Sequence, residues 1–270
     1  MKIEPLLYVP ALTGPLSGLE GRLRIAVTLR GAGLQVHPWI GEPYGFNFGD
    51  HVGDNPVEVA LRRQALEMWV GAPIVWLNQV HGCAVVDPSQ MNPGCGAPQA
   101  DASITCSSQH ALAIMTADCL PVVFVAIDGS GCVRGVGAAH AGWRGLRAGV
   151  LRATARALAH RCGVPTRQIH AWLGPAIGPQ SFEVGEEVRQ AFIDVDPDAS
   201  ACFADLHHGT GKSFADIYAL ATRDLMQAGV TDVQGGGADT FTDLRWFSHR
   251  RGQQQGVQAG RMATVIRLLP

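Results

Sequence analysis

A Val-rich hairpin in the middle of the chain constrains this sequence most. Pro121 to Ile127 is an apolar, largely β-branched run, Asp128-Gly129-Ser130-Gly131 is a turn, and Cys132 to Ala138 returns as a second strand. A hairpin folds its two ends together. Cys119 at one end and His140 at the other, well separated in sequence, are therefore expected side by side. A third residue of the same chemical kind, His81 in Asn78-Gln79-Val80-His81-Gly82, also closes an apolar run. Two imidazoles and one thiolate suit zinc, and three protein ligands leave one coordination position open, as in catalytic rather than closed structural sites. Ten histidines and seven cysteines can be combined in many ways. What singles out His81, Cys119 and His140 is their shared place at strand ends beside glycine or another small residue, where sheet proteins assemble sites.

The 270 residues, 47% of them apolar, are enough for a sizeable core. A net charge of −2 leaves no basic field for nucleic acid, and no run of eighteen apolar residues is present to span a membrane. The start, Met1-Lys2-Ile3-Glu4-Pro5, lacks the pattern of a secretion signal. The cysteines (83, 95, 106, 119, 132, 162 and 202) show no CxxC pair and no regular spacing, which reads as a reduced, cytoplasmic inventory of mostly apolar fillers. A cytoplasmic monomer is the expectation.

Along the chain, Arg22 to Thr28 alternates as a half-buried strand and runs into the turn Arg30-Gly31-Ala32-Gly33. The loop from Gly41 to Asp54 holds Tyr44, Asn47, Asp50, His51 and Asp54 among glycines, a composition common in binding loops. Asp54 or Asn55 before Pro56 predicts a helix start, running to about Val70 and stopping at Gly71. Strands are expected over 73–80, 101–106, 111–116, 169–173, 231–234 and 261–269, and helices over 146–160, from Val184 or Gly185 to about Ile193, and over 212–229. The adjacent His207 and His208 point in different directions and are poor joint ligands. With no repeat, low-complexity tract or linker, the chain reads as one α+β domain over residues 1–270.

Four segments carry a resemblance in addition. Asn78-Gln79-Val80-His81-Gly82, Thr116-Ala117-Asp118-Cys119-Leu120-Pro121, Ala139-His140-Ala141-Gly142-Trp143-Arg144-Gly145 and Leu173-Gly174-Pro175-Ala176-Ile177-Gly178-Pro179 resemble, in this order, the motif series of the bacterial YfiH-like family. That group, DUF152, has been labelled polyphenol oxidoreductase or laccase and has a vertebrate relative called laccase domain-containing protein 1. The likeness continues through Phe182-Glu183-Val184-Gly185, 212–217, Phe247-Ser248-His249-Arg250-Arg251 and Gly260-Arg261-Met262-Ala263. It implies a mixed α/β sandwich of the cysteine-hydrolase type, with zinc (copper has also been proposed) on His81, Cys119 and His140. It also implies phosphorolysis of adenosine, inosine, guanosine and methylthioadenosine, deamination of adenosine, and a suggested role in editing peptidoglycan precursors. Two departures from the family pattern, Asp239 before Thr240 and His249 where Tyr is usual, bear on substrate details rather than on the ligand set.

The chemistry assigns further roles. Deamination needs a proton shuttle, for which Asp118 and Glu183 are candidates, although Asp118 could equally orient a ligand histidine. Phosphorolysis needs a held phosphate; Arg30 and Arg144 are the candidate cations, each with a plain structural reading as a solvated or paired residue. Asn47 and Gln79 could bond base or ribose, Phe182 could stack on a purine, and Trp143 reads as core. A metal-free cysteine hydrolase with Cys119 as nucleophile and His81 or His140 as base uses the same residues and stays open. A multicopper oxidase would need many more clustered histidines, and no His-x-His pair is present.

Overall fold

The central hairpin forms with every residue of its first strand buried, because the two faces of that strand serve two different cores. Val122, Phe124 and Ala126 point to a layer of helices, and Val123 and Val125 point to a second sheet. Each such fully buried Val or Phe side chain contributes about 1.5–3 kcal/mol, so this alternation anchors the whole arrangement. The computed structural model describes residues 7–31, 45–91, 94, 96–205 and 211–270.

In chain order the strands are β1 (Leu7–Tyr8), β2 (Leu23–Thr28), β3 (Ile74–Val75), β4 (Val85–Val86), β5 (Ala102–Thr105), β6 (Ala111–Thr116) and β7 (Leu120–Ile127). They continue as β8 (Val133–Ala141), β9 (Ile169–Leu173), β10 (Glu183–Gly185), β11 (Phe203–Asp205), β12 (Lys212–Ala215), β13 (Asp232–Gly235) and β14 (Met262–Leu268). The helices are α1 (Pro56–Val70), α2 (Trp143–Ala148), α3 (Val150–Cys162), α4 (Glu186–Ile193), α5 (Ile217–Gln227) and α6 (His249–Gln255).

A six-stranded sheet, β13-β9-β7-β8-β5-β4, packs against a five-stranded one, β1-β2-β14-β6-β3. Between them Leu112, Ile114, Val123, Val125, Val136, Trp172 and Ile266 form one core. The outer face of the five-stranded sheet, with Ala113, Met115 and Val265, is covered by Leu66 and Val70 of α1 and by Phe46 and Phe48. The outer face of the six-stranded sheet is covered by α2, α3, α4 and α5. The result is a mixed α/β sandwich in which parallel pairs (β3·β6, β4·β5, β9·β13) sit within otherwise antiparallel sheets. A small third sheet, β10-β12-β11, flanks it. Among the described residues no helix is long and apolar enough to cross a membrane.

Helix α1 has the expected limits: Asn55 caps it by accepting the Val57 N–H, and Gly71 ends it in the left-handed region at φ 78°. Three expectations change. The helix expected over 146–160 is two helices, because Gly149 adopts φ 93° and caps α2 before α3 begins. The helix expected over 212–229 is the strand β12 followed by α5; Asp216 accepts the Ala219 N–H and so starts the helix after the strand has paired with β10 and β11. The strand expected over 73–80 pairs only at Ile74–Val75, and Asn78 makes a lone bridge to Gln99. The remaining segment thus leaves the sheet and can carry Gln79 and His81 toward the hairpin. Tyr44, His207 and His208 lie outside the described residues.

Candidate metal centre and its cavity

Register brings two of the three expected ligands together. Pro121 pairs with His140 and Leu120 with Ala141, so Cys119, one residue before the ladder, sits beside His140. His81 arrives from the segment after β3, with its ring 4.7 Å from that of His140 and its Nε2 4.0 Å from the Cys119 sulfur. Ligand atoms of His81, Cys119 and His140 all lie within 4.8 Å of one another. His81 and Asp118 adopt φ values of 60° and 83°, left-handed backbone that non-glycine residues rarely take. Such strain is held only where surrounding bonds over-determine it, and it clusters at functional sites.

Asp101 supplies those bonds on one side. Its Oδ1 lies 2.8 Å from His140 Nδ1 and accepts the His81 N–H at 2.9 Å. Its Oδ2 accepts the N–H groups of Gly82 (2.7 Å) and Val80 (3.2 Å). Burial opposes the Asp101 charge, but His140 and these N–H groups outweigh it and keep the carboxyl below its ordinary value. One fully buried carboxylate therefore aims His140 and fixes the backbone that presents His81. Its sequence neighbourhood does not single it out. The only signal there is an acid heading β5, and its meaning depends on the pairing of β5 with β8.

Burial likewise opposes ionisation of Cys119, yet the charge and hydrogen bonds of His140, with His81 helping, bring its pKa down to about 6. His140 responds in kind: burial disfavours its charged form, but the Cys119 thiolate and Asp101 raise it to about 9. Gly142 closes the cluster. A Cβ there would stand 2.9 Å from the His81 ring and 3.1 Å from the Cys119 sulfur. The chain thus leaves this spot bare, and the donor set of two imidazoles and a ready thiolate fits zinc or another borderline to soft metal.

The cluster opens into a cavity of about 710 Å³. Asp50, His51, Arg63, Trp76, Asn78, Gln79, Met115, His249 and Arg261 are among its walls. The binding loop expected before α1 contributes Asp50 and His51 to it. Gln79 faces the cavity, but its amide also bridges the Met115 backbone with two bonds of 2.8 Å.

The other expected residues fall elsewhere. Asp118 stands beside Cys119, but Thr240 Oγ1 and the Arg250 N–H each donate to its carboxylate at 2.6 Å, so it latches the C-terminal segment instead of orienting a ligand. The Glu183 carboxylate pairs with Lys212 at 2.5 Å, which holds it below its usual range, and it does not line the cavity. Asn47 is fully buried and spent on Gly49, Asp54 and the Arg261 N–H. Phe182 packs on the helix-side core. Arg144 is exposed over the Trp143 ring at 4.4 Å, and Arg30 lies 5.9 Å from the Phe247 ring; neither lines the cavity. The reason is common to all: neighbours in sequence suggest a role for each, whereas tertiary packing decides which strand end its side chain leaves.

Fold and site together define a mixed α/β sandwich protein with a three-ligand metal-compatible cluster at the base of an open cavity. Residues 24–269 match the family model described as multi-copper polyphenol oxidoreductase laccase, and the chain belongs to this YfiH-like family. It is 44% identical to a purine nucleoside phosphorylase of Pseudomonas aeruginosa, covering 91% of this chain and 93% of that protein. It is 45% identical to the purine nucleoside phosphorylase YfiH of Escherichia coli, covering 84% and 88%. A crystal structure of a DUF152 protein from Neisseria meningitidis superposes with a TM-score of 0.82 at 38% identity, covering 99% of this chain and all of that one. YlmD of Geobacillus stearothermophilus is similar with a TM-score of 0.80 at 26% identity, covering 98% and 100%.

Proposed function

We propose that this chain is a zinc-dependent purine nucleoside phosphorylase whose metal is held by His81, Cys119 and His140. The observation that carries the reading is that cluster at the base of the open cavity, in a chain similar over most of its length to proteins named for this activity. A nucleoside-processing role follows from the relatives as a class; the metal, the substrates and the residue roles are the proposal.

In phosphorolysis a phosphate oxygen forms a bond to ribose C1′ while the C1′–N9 bond breaks. The bonding pair leaves on the purine, which takes up a proton, and ribose 1-phosphate is released with the free base. A metal at the cluster would supply a Lewis acid for a substrate heteroatom. The chain's own residues do the rest. Asp101 keeps His140 and His81 aimed, Gly142 leaves their approach clear, and Trp76, Met115 and Asn78 offer the purine nucleoside apolar walls and a polar contact. Inosine, adenosine, guanosine and methylthioadenosine are the substrates to try. Adenosine deamination finds less support, since the Asp118 and Glu183 carboxylates read as proton shuttles are engaged with other partners.

One observation favours a second reading. Asp101, His140 and Cys119 are ordered as an acid, an imidazole and a thiolate, the arrangement of a cysteine hydrolase. Such a triad needs one imidazole against the sulfur, and here two converge on it, which favours the metal reading. The test pairs metal analysis by mass spectrometry, on protein purified without added metal, with ribose 1-phosphate release from inosine. Stoichiometric zinc and phosphate-dependent turnover are expected, both lost in Cys119→Ala. Ribose 1-phosphate release that survives complete metal removal would overturn the zinc dependence, cleavage that needs neither metal nor phosphate would favour the hydrolase, and stoichiometric copper would correct the metal.

A further inference from the structure

We propose that Arg261 is the anchor of a tetrahedral oxyanion subsite, flanked by His249, that holds phosphate in the cavity. This rests on the phosphorylase reading and deepens it: the phosphate cation is neither of the two arginines that the sequence suggests. Two arginines line the cavity, Arg63 and Arg261. Arg63 is committed. It pairs with Asp50 at 3.2 Å, donates through Nε and Nη2 to the Phe48 carbonyl, and lies 4.4 Å over the Trp76 ring.

Arg261 is not. Its Nη1 donates to the carbonyls of Ala259 (2.7 Å) and Gly260 (3.1 Å), and among the described residues no carboxylate lies within ion-pair distance of it. A guanidinium drawn out of water without an anion is costly. The anions that favour its charge are Cys119 and Asp118. Asp118 is bonded through both oxygens to Thr240 and Arg250. Cys119 is a ligand, so a bound divalent metal would cancel its charge and leave Arg261 facing a cavity short of negative charge. A phosphate restores the balance, and the planar guanidinium fork matches its geometry.

The surroundings build the position. The Arg261 N–H donates to Asn47 Oδ1 at 2.7 Å, and Asn47 is itself held by Gly49 and Asp54. Gly49 leaves room for the side chain, since a Cβ there would come within 2.8 Å of Arg261 Cγ. Buried Asn47 thus places the cation instead of touching substrate. Beside Arg261, burial and the cation's own field hold His249 below its ordinary pKa, so the imidazole can donate one N–H to an oxyanion without adding a competing charge.

The probe is inorganic phosphate, titrated calorimetrically into metal-loaded protein without nucleoside and followed by steady-state kinetics with inosine. Arg261→Met is expected to weaken phosphate binding and raise the phosphate KM by about 10–100-fold, the loss of one charge-assisted contact. The inosine KM and the metal content should stay within about threefold. Arg261→Lys should recover only part, since the charge remains and the fork is gone. Inosine 5′-monophosphate, titrated in parallel, separates a free phosphate site from one for the phosphate of a nucleotide; tighter binding of the nucleotide through Arg261 would overturn the assignment to inorganic phosphate. Unchanged phosphate affinity in Arg261→Met, or in Arg261→Lys should the Met variant fail to fold, would overturn the subsite. So would loss of metal together with phosphate. Wild-type protein that binds phosphate through Arg261 but does not cleave inosine would sink the phosphorylase reading and leave the subsite standing.

Discussion

Asp101 and His140 are joined twice: the His140 backbone N–H donates to the Asp101 carbonyl at 2.7 Å, and the His140 Nδ1 lies 2.8 Å from the Asp101 carboxylate. The same carboxylate binds the backbone of His81. A single buried acid therefore sets the aim of two candidate ligands that come from different parts of the chain.

Replacing that acid should show in metal affinity before it shows in anything else. Asp101→Asn is expected to weaken zinc binding by about 10–100-fold, the usual cost of losing the partner that orients a ligand histidine. Chelator competition measures it. An unchanged affinity would mean that His140 and His81 hold their places without the charge.

Gly142→Ala should act on the same cluster by a different route. The added Cβ enters the space beside His81 and Cys119, so zinc content should fall below half occupancy, while the thermal midpoint of metal-free protein moves by no more than a few degrees. Full occupancy in this variant would show that the cluster can open to admit a methyl group.

Metal-free protein should carry Cys119 as a thiolate at neutral pH. The folded pKa of about 6 lies below the ordinary thiol value of about 8.5, so alkylation by iodoacetamide should rise through pH 6 and then level off. Peptide mapping by mass spectrometry separates Cys119 from the exposed Cys83 and Cys132. Added zinc should protect Cys119. A midpoint near 8.5 would mean that the pairing with His140, itself raised to about 9, does not form.

Asp118 should behave as a stability residue. Asp118→Ala removes two acceptors, for Thr240 Oγ1 and the Arg250 N–H, and is expected to cost about 1–3 kcal/mol, with a thermal midpoint lower by several degrees. Zinc affinity should change far less than in Asp101→Asn. The reverse order would return Asp118 to the role of ligand orienter.

Arg144→Ala separates the structural account from the one that neighbouring residues suggest. Its guanidinium lies over Trp143 outside the cavity, so both the phosphate KM and kcat should stay within about twofold of wild type. A phosphate KM raised tenfold would bring Arg144 back into the site at the expense of Arg261.

The hairpin, the limits of α1 and the joining of Cys119 to His140 could be read along the chain, because each follows from local chemistry: β-branched runs around a turn, a cap before proline, a glycine after the last turn. His81 was legible as a residue type at the end of an apolar run, and the structure brings it within ligand distance of the other two. The division of labour among the charged residues was not legible. Asp101 and Asp118 look alike in sequence, each an acid beside a strand, yet one faces His140 and the other faces Thr240 and Arg250. Arg144 and Arg30 are the phosphate cations that the sequence suggests, and neither lines the cavity, whereas Arg261, which nothing in its sequence neighbourhood marks, does. Local propensity acts over a few residues and sets where strands and helices begin and end. Which charge meets which partner depends on strand register and sheet packing between segments far apart in the chain, and there a shift of one residue turns a side chain to the opposite face.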